Sequence, residues 1–509
     1  MPAVPFQNVP STLRSPLFYA EVNNSAANTA QSPKRALIIA QKTTSGQATA
    51  NQPAVAVANN GVFQGGAGSQ LDLMIQAYRQ NDNFGELWVL PLADDGSATA
   101  AAGAFVFTGP ATAGGTLYAY VGDVLITVAV TSGMTATQAA TALFNAINAN
   151  TSLPVVATNA VAGTTAITAK NGGAVGNDIQ LGFNLLGYPG GQAMPAGLTV
   201  AITPMAAGAV NPTLTTGLAN LGDQPFDFII TPYTDSTSLA AIAAFLNDTV
   251  GRWSWDSQVY GHHFTAYRGT YSANTTLGTG LNDQHLTVMG VSGSASPMMK
   301  WAAAIGAQVA VSVRADPAQP LQTLVLNGLM APPVASRFTL SQREALLYDG
   351  ISTFTVNQAG AISISRLITT YQQNAFSQPD NSYLAVETMM TLVEVLRAMA
   401  IAVTSKFSRS KLAADGTRFA PGSNIVTPSI IAAFIVATYR QLEYNGLVQG
   451  SDIFAANLIV VQNASNPNRV DVLWPAILID QLNVFALLAQ FRLSTNQFPG
   501  ANAASAGVP

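Results

Sequence analysis

The hydrophobic positions of this chain change period several times, and each change marks an element. Residues 35–40 (RALIIA) and 86–92 (ELWVLPL) are short continuous apolar runs, the pattern of strands buried on both faces. Between them Leu71, Ile75 and Tyr78 recur at helical spacing over residues 69–80, so the three segments read as a βαβ unit. The pattern resumes at 226–231 (FDFIIT). A helix follows, capped by Asp235 or Ser236 and striped by Leu239, Ile242, Phe245 and Leu246. Strands are expected at 263–267 and 285–291, and a helix opened by Ser296 or Pro297 should run to about 313. Strands alternating with helices of this length imply a parallel sheet in an α/β fold.

Between the two α/β stretches the period shortens to two. Strand candidates follow one another at 104–108, 116–121, 124–130, 155–158, 164–168, 178–185 and 198–203, with Gly122-Asp123 as a hairpin turn. One helix is signalled there by the capping box Thr135–Gln138, followed by Ala139, Leu143 and Ile147. Residues 95–210 therefore read as a mainly β domain inserted into the first. Beyond it, Ser341–Glu344 looks like a second capping box, and 351–356 and 361–368 form a hairpin about Gly360. A long helix over 383–407 carries Leu384, Met390, Val393, Leu396 and Met399 on one stripe, and a second helix covers 428–445. Strands are expected at 456–461 and 469–474, then a long apolar segment, 477–493. Within it Phe485, Leu487, Ala489, Phe491 and Leu493 alternate along one face.

The two ends have no local partner. Pro2, Pro5, Pro10 and Pro16 keep residues 1–34 extended, around one strand-like run, 17–22, and a linker of small polar residues, 23–32. Such a segment is either a free tail or a strand donated to another sheet edge. Residues 501–509 read as a small-residue disordered tail.

Composition sharpens this picture. Of 509 residues only 21 are Lys or Arg and 25 Asp or Glu, 9% charged against about 25% in ordinary soluble proteins. With 49% hydrophobic residues the chain is not intrinsically disordered. A net charge of −4 gives no basic field for nucleic acid. The most apolar runs, 429–439 and 301–313, fall short of the roughly 20 residues a membrane span requires. The N-terminus lacks the basic and apolar regions of a signal peptide. With no cysteine, disulfides, thiolate–zinc sites and thiol catalysis are excluded. Weak surface charge favours association. The sparsest stretch, 96–222, holds only Asp123, Lys170 and Asp178 as charged residues.

No catalytic constellation stands out. There are three histidines, and His262 and His263, adjacent on a strand, face opposite ways. The nucleophile elbow G-x-S-x-G is absent; Gly290–Ser294 comes nearest, leaving Ser292 and Ser294 as candidates for a serine hydrolase. The glycine-rich 61–68 lacks the Lys-Ser/Thr of a phosphate loop and reads as a flexible loop. Asp94-Asp95 and Asp223/Asp227 are carboxylate pairs without a nearby histidine, so no metal and no cofactor is expected. Trp253 and Trp255, beside Arg252, read as one core and one rim residue. The Thr/Asn/Gly-rich insertion leaves a third possibility, an adhesin or surface-layer protein.

Four segments, in order, resemble the tail sheath proteins of contractile phage tails, in the Mu-like branch. They are Phe6 to Val22 (FQNVPSTLRSPLFYAEV); Gly350-Ile-Ser-Thr with Gly360 and Ile364 to Tyr371; Asp380-Asn-Ser-Tyr-Leu384 with Leu392, Leu396 and Arg397; and Arg469 to Pro475 with Gln481, Val484, Phe485, Gln490 and Phe491. The resemblance implies a subtilisin-like, doubly wound core, a name of topology and not of proteolysis. It implies a polymer of stacked hexameric rings around a tail tube protein, bounded by a baseplate and a tail terminator, without nucleic-acid binding or membrane insertion. The sheath would assemble in the host cytoplasm and contract to drive the tube through the host envelope. The expected division is 1–34, arm and linker; 35–94 and 211–375, core; 95–210, insertion; 376–475, C-terminal α+β domain; 476–509, strand arm and tail. Phe18, Tyr19 and Val22 are the anchors expected for the N-terminal inter-subunit strand, and Phe485, Leu487, Phe491 and Leu493 for the C-terminal one. Arg440 and Glu443, on the helix 428–445, are candidates for contact with the tube.

Overall fold

The computed structural model describes residues 34–56, 61–420 and 422–491. The expected N-terminal anchors Phe18, Tyr19 and Val22 and the C-terminal Leu493 lie outside the described residues.

The chain opens with β1 (Ala36–Gln41), the short β2 (Ala54–Val55), α1 (Gly61–Gly65), α2 (Gln70–Arg79) and β3 (Leu87–Leu92). The expected loop at 61–68 is thus partly helical. Its end is a tight turn at Gly66 and Gly68, both at positive φ, leading to Ser69, whose side chain caps α2 through the Asp72 amide. β1 is fully buried along its length, as its continuous apolar sequence requires.

The inserted segment contains β4 (Ala100–Thr108), β5 (Gly115–Val121), β6 (Val124–Val130), α3 (Ala136–Ala149), β7 (Val155–Val161), β8 (Thr164–Gly172), β9 (Leu181–Phe183) and β10 (Thr199–Ala206). They form two antiparallel sheets, β10-β4-β8-β7 and β6-β5-β9. Alternate residues of both sheets and Ala139, Ala140, Leu143 and Ile147 of α3 share a core of their own. The Thr135–Gln138 capping box is formed, and Gly122 makes the β5–β6 turn at φ +61.

After α4 (Thr215–Ala219) the core continues with β11 (Phe228–Ile230), α5 (Ser236–Leu246), β12 (His262–Arg268), α6 (Tyr271–Thr279), β13 (Leu286–Val291) and α7 (Met298–Ala315). Asp235, not Ser236, caps α5. The principal sheet runs β13-β12-β11-β1-β3-β2. Its first five strands are parallel, and only β2 is antiparallel. Both faces are covered. A Cβ on Gly306 of α7 would lie 2.3 Å from Ile230 Cδ1, so α7 crosses close over β11 only because glycine stands there. The neighbouring Ile229 faces the other way; its Cδ1 and the Cδ2 of Leu246 of α5 both lie within 3.5 Å of the Cβ position of Gly261.

The remainder comprises β14 (Val325–Leu326), α8 (Leu340–Tyr348), β15 (Thr353–Val356), β16 (Ile362–Arg366), α9 (Val386–Phe407), β17 (Lys411–Leu412), β18 (Ile425–Val426), α10 (Pro428–Tyr444), β19 (Val448–Gln449), α11 (Ser451–Asn457), β20 (Ile459–Gln462), β21 (Val470–Leu473) and β22 (Ile477–Leu478). The capping box of α8 is Thr339 with Gln342, two residues before the expected one, because Thr339 has the extended backbone a cap needs while Ser341 is already helical. The β15–β16 hairpin turns at Gly360 as expected. A third core gathers α10 (Ile431, Ile435, Tyr439), Val395 of α9 and Phe454 of α11. The long apolar segment expected from 477 to 493 forms a strand only at its start, where β22 pairs with β19; from 479 to 491 there is no regular element.

Candidate functional site: a filled crevice and open assembly surfaces

In an open parallel sheet, ligands bind outside the carboxyl ends of the strands, where the strand order reverses. Here the second parallel strand, β3, lies on one side of β1, and β11, β12 and β13 lie on the other. The reversal therefore falls at the ends of β1 and β11, and the chain's own insertion occupies it. Gln41, the last residue of β1, donates from Nε2 to Asp94 Oδ1 (2.6 Å) and to the carbonyl of Gly172 at the end of β8 (2.7 Å). Asn171 donates to the Lys42 carbonyl (3.0 Å) and to Asp94 Oδ1 (3.0 Å), and accepts from the Gln70 amide at the head of α2 (3.0 Å). Lys170 Nζ donates to the Ala67 carbonyl at 2.8 Å, and burial pushes its ammonium below the usual lysine range. Gln41 and Asn171 are both buried, so the chain itself fills the end of β1; a cavity of about 390 Å³ lies beside it, lined by Asp95, Asn211, Asp235, Thr237 and Ser238.

The histidines serve the core. His263 Nε2 lies 2.8 Å from Thr231 Oγ1, and His262 Nε2 2.8 Å from Thr287 Oγ1, all four side chains being buried. Burial pushes His263 down to about 3 and holds His262 well below the usual range. His285 pairs with Asp248 at 2.7 Å and stacks on Trp253, their ring centroids 4.5 Å apart. The hydrogen bond from His285 holds the Asp248 carboxyl below its ordinary value. Ser294 is buried, donating to the Met330 carbonyl (2.9 Å) and accepting from the Trp301 indole (3.2 Å), which is a structural role and not that of an exposed nucleophile. Arg252 is also buried, its guanidinium donating to the carbonyls of Tyr260, Gly222 and Gln224. It ties down the turn in which Trp253 packs on the core and Trp255 stands 81% exposed. Among the described residues no group of three His, Cys, Asp or Glu could hold a metal ion, and no helix is long and apolar enough to cross a membrane.

The candidate assembly residues lie at the opposite extreme of exposure. In the segment after β22, Leu482, Val484, Phe485, Leu487, Leu488 and Phe491 are all exposed, Phe485 at 80% and Phe491 at 86%. They follow directly on a unit that contains three two-stranded ribbons, β17–β18, β19–β22 and β20–β21. Ile459, Val461, Val472 and Leu473 of the last ribbon are exposed too. Arg440 and Glu443 project from the last turns of α10. Arg440 makes a solvent-facing pair with Asp452 at 3.4 Å, and Glu443 Oε1 accepts from the Ser451 amide at 3.0 Å. α9 is pinned to the core by Arg397–Asp227 (2.5 Å) and by Lys34–Glu394 (3.0 Å), the latter where the described chain begins. Sequence reasoning missed these two ties, because partners 170 and 360 residues apart leave no local pattern.

Buried histidines, a strand end capped by the chain's own insertion and an exposed apolar run at 482–491 direct attention to assembly. The comparisons with known proteins agree. Residues 207–370 match the model of the phage tail sheath protein central domain, and 378–492 that of the phage tail sheath C-terminal domain, together more than half of the chain. The chain is 39% identical over 498 residues to the Mu-like prophage FluMu tail sheath protein of Haemophilus influenzae, covering 96% of this chain and all of that protein. Among solved structures it is similar to the sheath tail protein of Desulfitobacterium hafniense (14% identity, 92% of this chain and 97% of that one, TM-score 0.47). It is also similar to the contracted helical sheath of the anti-feeding prophage (11% identity, 95% and 100%, TM-score 0.45). The chain belongs to the phage tail sheath family. It is a structural subunit of a contractile tail sheath and thus a component of the virion tail.

Proposed function

We propose that the subunit polymerises as hexameric rings stacked around a tail tube, assembled in the host cytoplasm between a baseplate and a tail terminator. Neighbours are joined by exchanged strands. The observation that carries this reading is the exposed run Leu482–Phe491, which pairs with no strand among the described residues. Burying a Leu or Phe side chain stabilises by about 1.5–3 kcal/mol, and an isolated two-stranded ribbon with open edges is marginal in water. A third strand from a neighbour satisfies both: it pairs the ribbon's free backbone groups and covers the apolar side chains. Phe485, Leu487, Phe491 and Leu493 are the anchors of this C-terminal strand, and Phe18, Tyr19 and Val22 those of the N-terminal one. Strands held by main-chain hydrogen bonds on bending linkers let subunits rotate without separating, so contraction consists of rearranged contacts between largely rigid bodies.

The parallel sheet with helices on both faces supports the doubly wound, subtilisin-like reading of the core at 35–94 and 211–375. The separate packing of 95–210 and of the α9–α11 region supports the division into insertion and C-terminal domain. We assign the tube-facing surface to α10 through Arg440 and Glu443. The reading is tested by electron microscopy of the purified chain. The intact chain forms tubes with a helical lattice; Phe485→Ser with Phe491→Ser, and separately removal of residues 1–22, leave folded subunits without tubes. Tubes of unchanged lattice from both variants would overturn the strand exchange.

A further inference from the structure

Helix α7 lies at the centre of the core yet begins without a cap of its own: its N-cap is Pro297, which offers no side-chain hydrogen bond. The first amides of a helix need acceptors, and a carboxylate is the best of them. Here the acceptor comes from the insertion. Asp178 Oδ2 accepts from the Met298 amide, the first of α7, at 2.6 Å. Asp178 Oδ1 is paired with Arg268, the last residue of β12, and each side chain is only 17% exposed. Arg268 is itself held in place by donation to the carbonyls of Ser294 and Ser296. Beside it, Asp123 of the β5–β6 turn pairs with Lys300 (2.7 Å) and accepts from Ser296 Oγ (2.8 Å). At the same place Gly122 abuts Pro297, where a Cβ would come within 3.1 Å of the ring. The third charge of the insertion, Lys170, donates to the Ala67 carbonyl beside the head of α2. All three charged residues between 96 and 222 are thus spent on this joint and none on the outer surface.

We propose that the insertion is a built-in ligand of the core: the Asp178 carboxylate occupies an anion site formed by Arg268 and the head of α7, and this seat, with Asp123 on Lys300, makes core and insertion one rigid body. An insertion that merely decorates the sheath would be tethered only by its two connections, which run side by side through the paired Thr99 and Ala209. To the ties that Gly172, Asn171 and Lys170 make with β1 and α2, the seat adds an attachment at the head of α7, and together they fix the orientation of the whole domain.

The test uses the full chain. Asp178→Ala empties the site while leaving Arg268 and the α7 amide in place, so a small carboxylate can refill it. Thermal unfolding is followed with sodium formate against sodium chloride at equal ionic strength, and hydrogen exchange is read at residues 122–124 and 298–300. The variant should melt several degrees below the parent, exchange faster at both places together, and recover with formate in a saturable way, while the parent responds equally to both salts. Melting and exchange like the parent's would overturn the proposal, as would equal recovery in chloride, which is screening, or no recovery at all. If Asp178→Ala does not fold, Asp178→Asn carries the test. It fills the space and still accepts from Met298, but lacks the charge for Arg268. It should melt lower and ignore formate; a parental melting point would refute the anion site.

Discussion

Two neutral histidines inside the parallel sheet make the core acid-sensitive above the carboxylate range. His263 is buried on β12 against Thr231 and pushed down to about 3 by loss of solvent, whereas in the unfolded chain it titrates near 6.5. Between those values the unfolded chain binds the extra proton, so stability falls as pH drops through 6.5 and keeps falling towards the folded value. At about pH 5 the unfolded imidazole is charged and the folded one is not, which amounts to about 2 kcal/mol for His263. His262, buried on the opposite face and bonded to Thr287, is shifted the same way by the same cause and adds to the effect. A loss of this size is a sizeable part of the roughly 5–15 kcal/mol that holds a typical domain together. It lowers the melting temperature by several degrees at ~2–4 °C per kcal/mol. Asp248, with its carboxyl held low by His285, works in a different window. Its contribution is intact above the ordinary carboxylate value and is lost only as pH falls below it. The assay is calorimetric melting at about pH 7.5 and about pH 5 for the parent and for His263→Gln, whose amide can still meet Thr231 but takes no proton. The variant should start lower at neutral pH and lose about 2 kcal/mol less on acidification. An identical drop in both proteins would refute the assignment.

Other perturbations probe the remaining joints. Arg397→Met strands the buried Asp227 carboxylate without its partner and should cost about 3–5 kcal/mol by urea unfolding; a loss under about 1 kcal/mol would place that pair with ordinary surface pairs. Gly306→Val puts a side chain where the Cβ alone lies 2.3 Å from Ile230, so a destabilisation of about 1–3 kcal/mol is expected from overpacking; an unchanged unfolding midpoint would mean that α7 can lift from β11 at no cost. Arg440→Ala should leave the melting temperature within a degree or two, since its pair with Asp452 is solvent-facing, while weakening co-sedimentation of the sheath with tube. Equal co-sedimentation would remove α10 from the tube-facing surface.

What could be read in advance followed local physics. The buried strands β1 and β3 announce themselves as apolar runs, α2 by its apolar stripe, and α3 and α5 by a capping side chain set just before one. α6 escaped because Tyr271–Thr279 (YSANTTLGT) has poor helix formers and no stripe. It is held instead by its Thr270 cap and by Asn274, whose side-chain amide bonds the carbonyls of Gly269 and Thr270. The second capping box was misplaced by two residues because Thr339–Gln342 and Ser341–Glu344 satisfy the same spacing, and only the backbone at the cap chooses between them. The filling of the crevice had no sequence signal. Asn171 and Asp178 are ordinary polar residues of a low-charge stretch, and Lys42, Gln70 and Met298 become their neighbours only once seven insertion strands have folded.

The scarcity of charge, first a hint of association, separates inner joints from outer ones. In a chain with 9% charged residues, Asp123, Lys170 and Asp178 seat the insertion, while Asp227–Arg397 and Lys34–Glu394 tie α9 to the core. Asp82–Arg314 ties α7 to the turn after α2. Half-buried ion pairs are directional and lose much when one partner is removed, so they suit joints that must hold one geometry. The segment proposed for neighbours, Leu482–Phe491, holds no charged residue and exposes Leu, Val and Phe. Apolar contacts are non-directional and strand pairing is satisfied by backbone alone, so both tolerate a change in angle between subunits. On the proposed strand exchange, charged pairs would fix the joints inside each subunit, while an uncharged strand would leave the angle between subunits free to change.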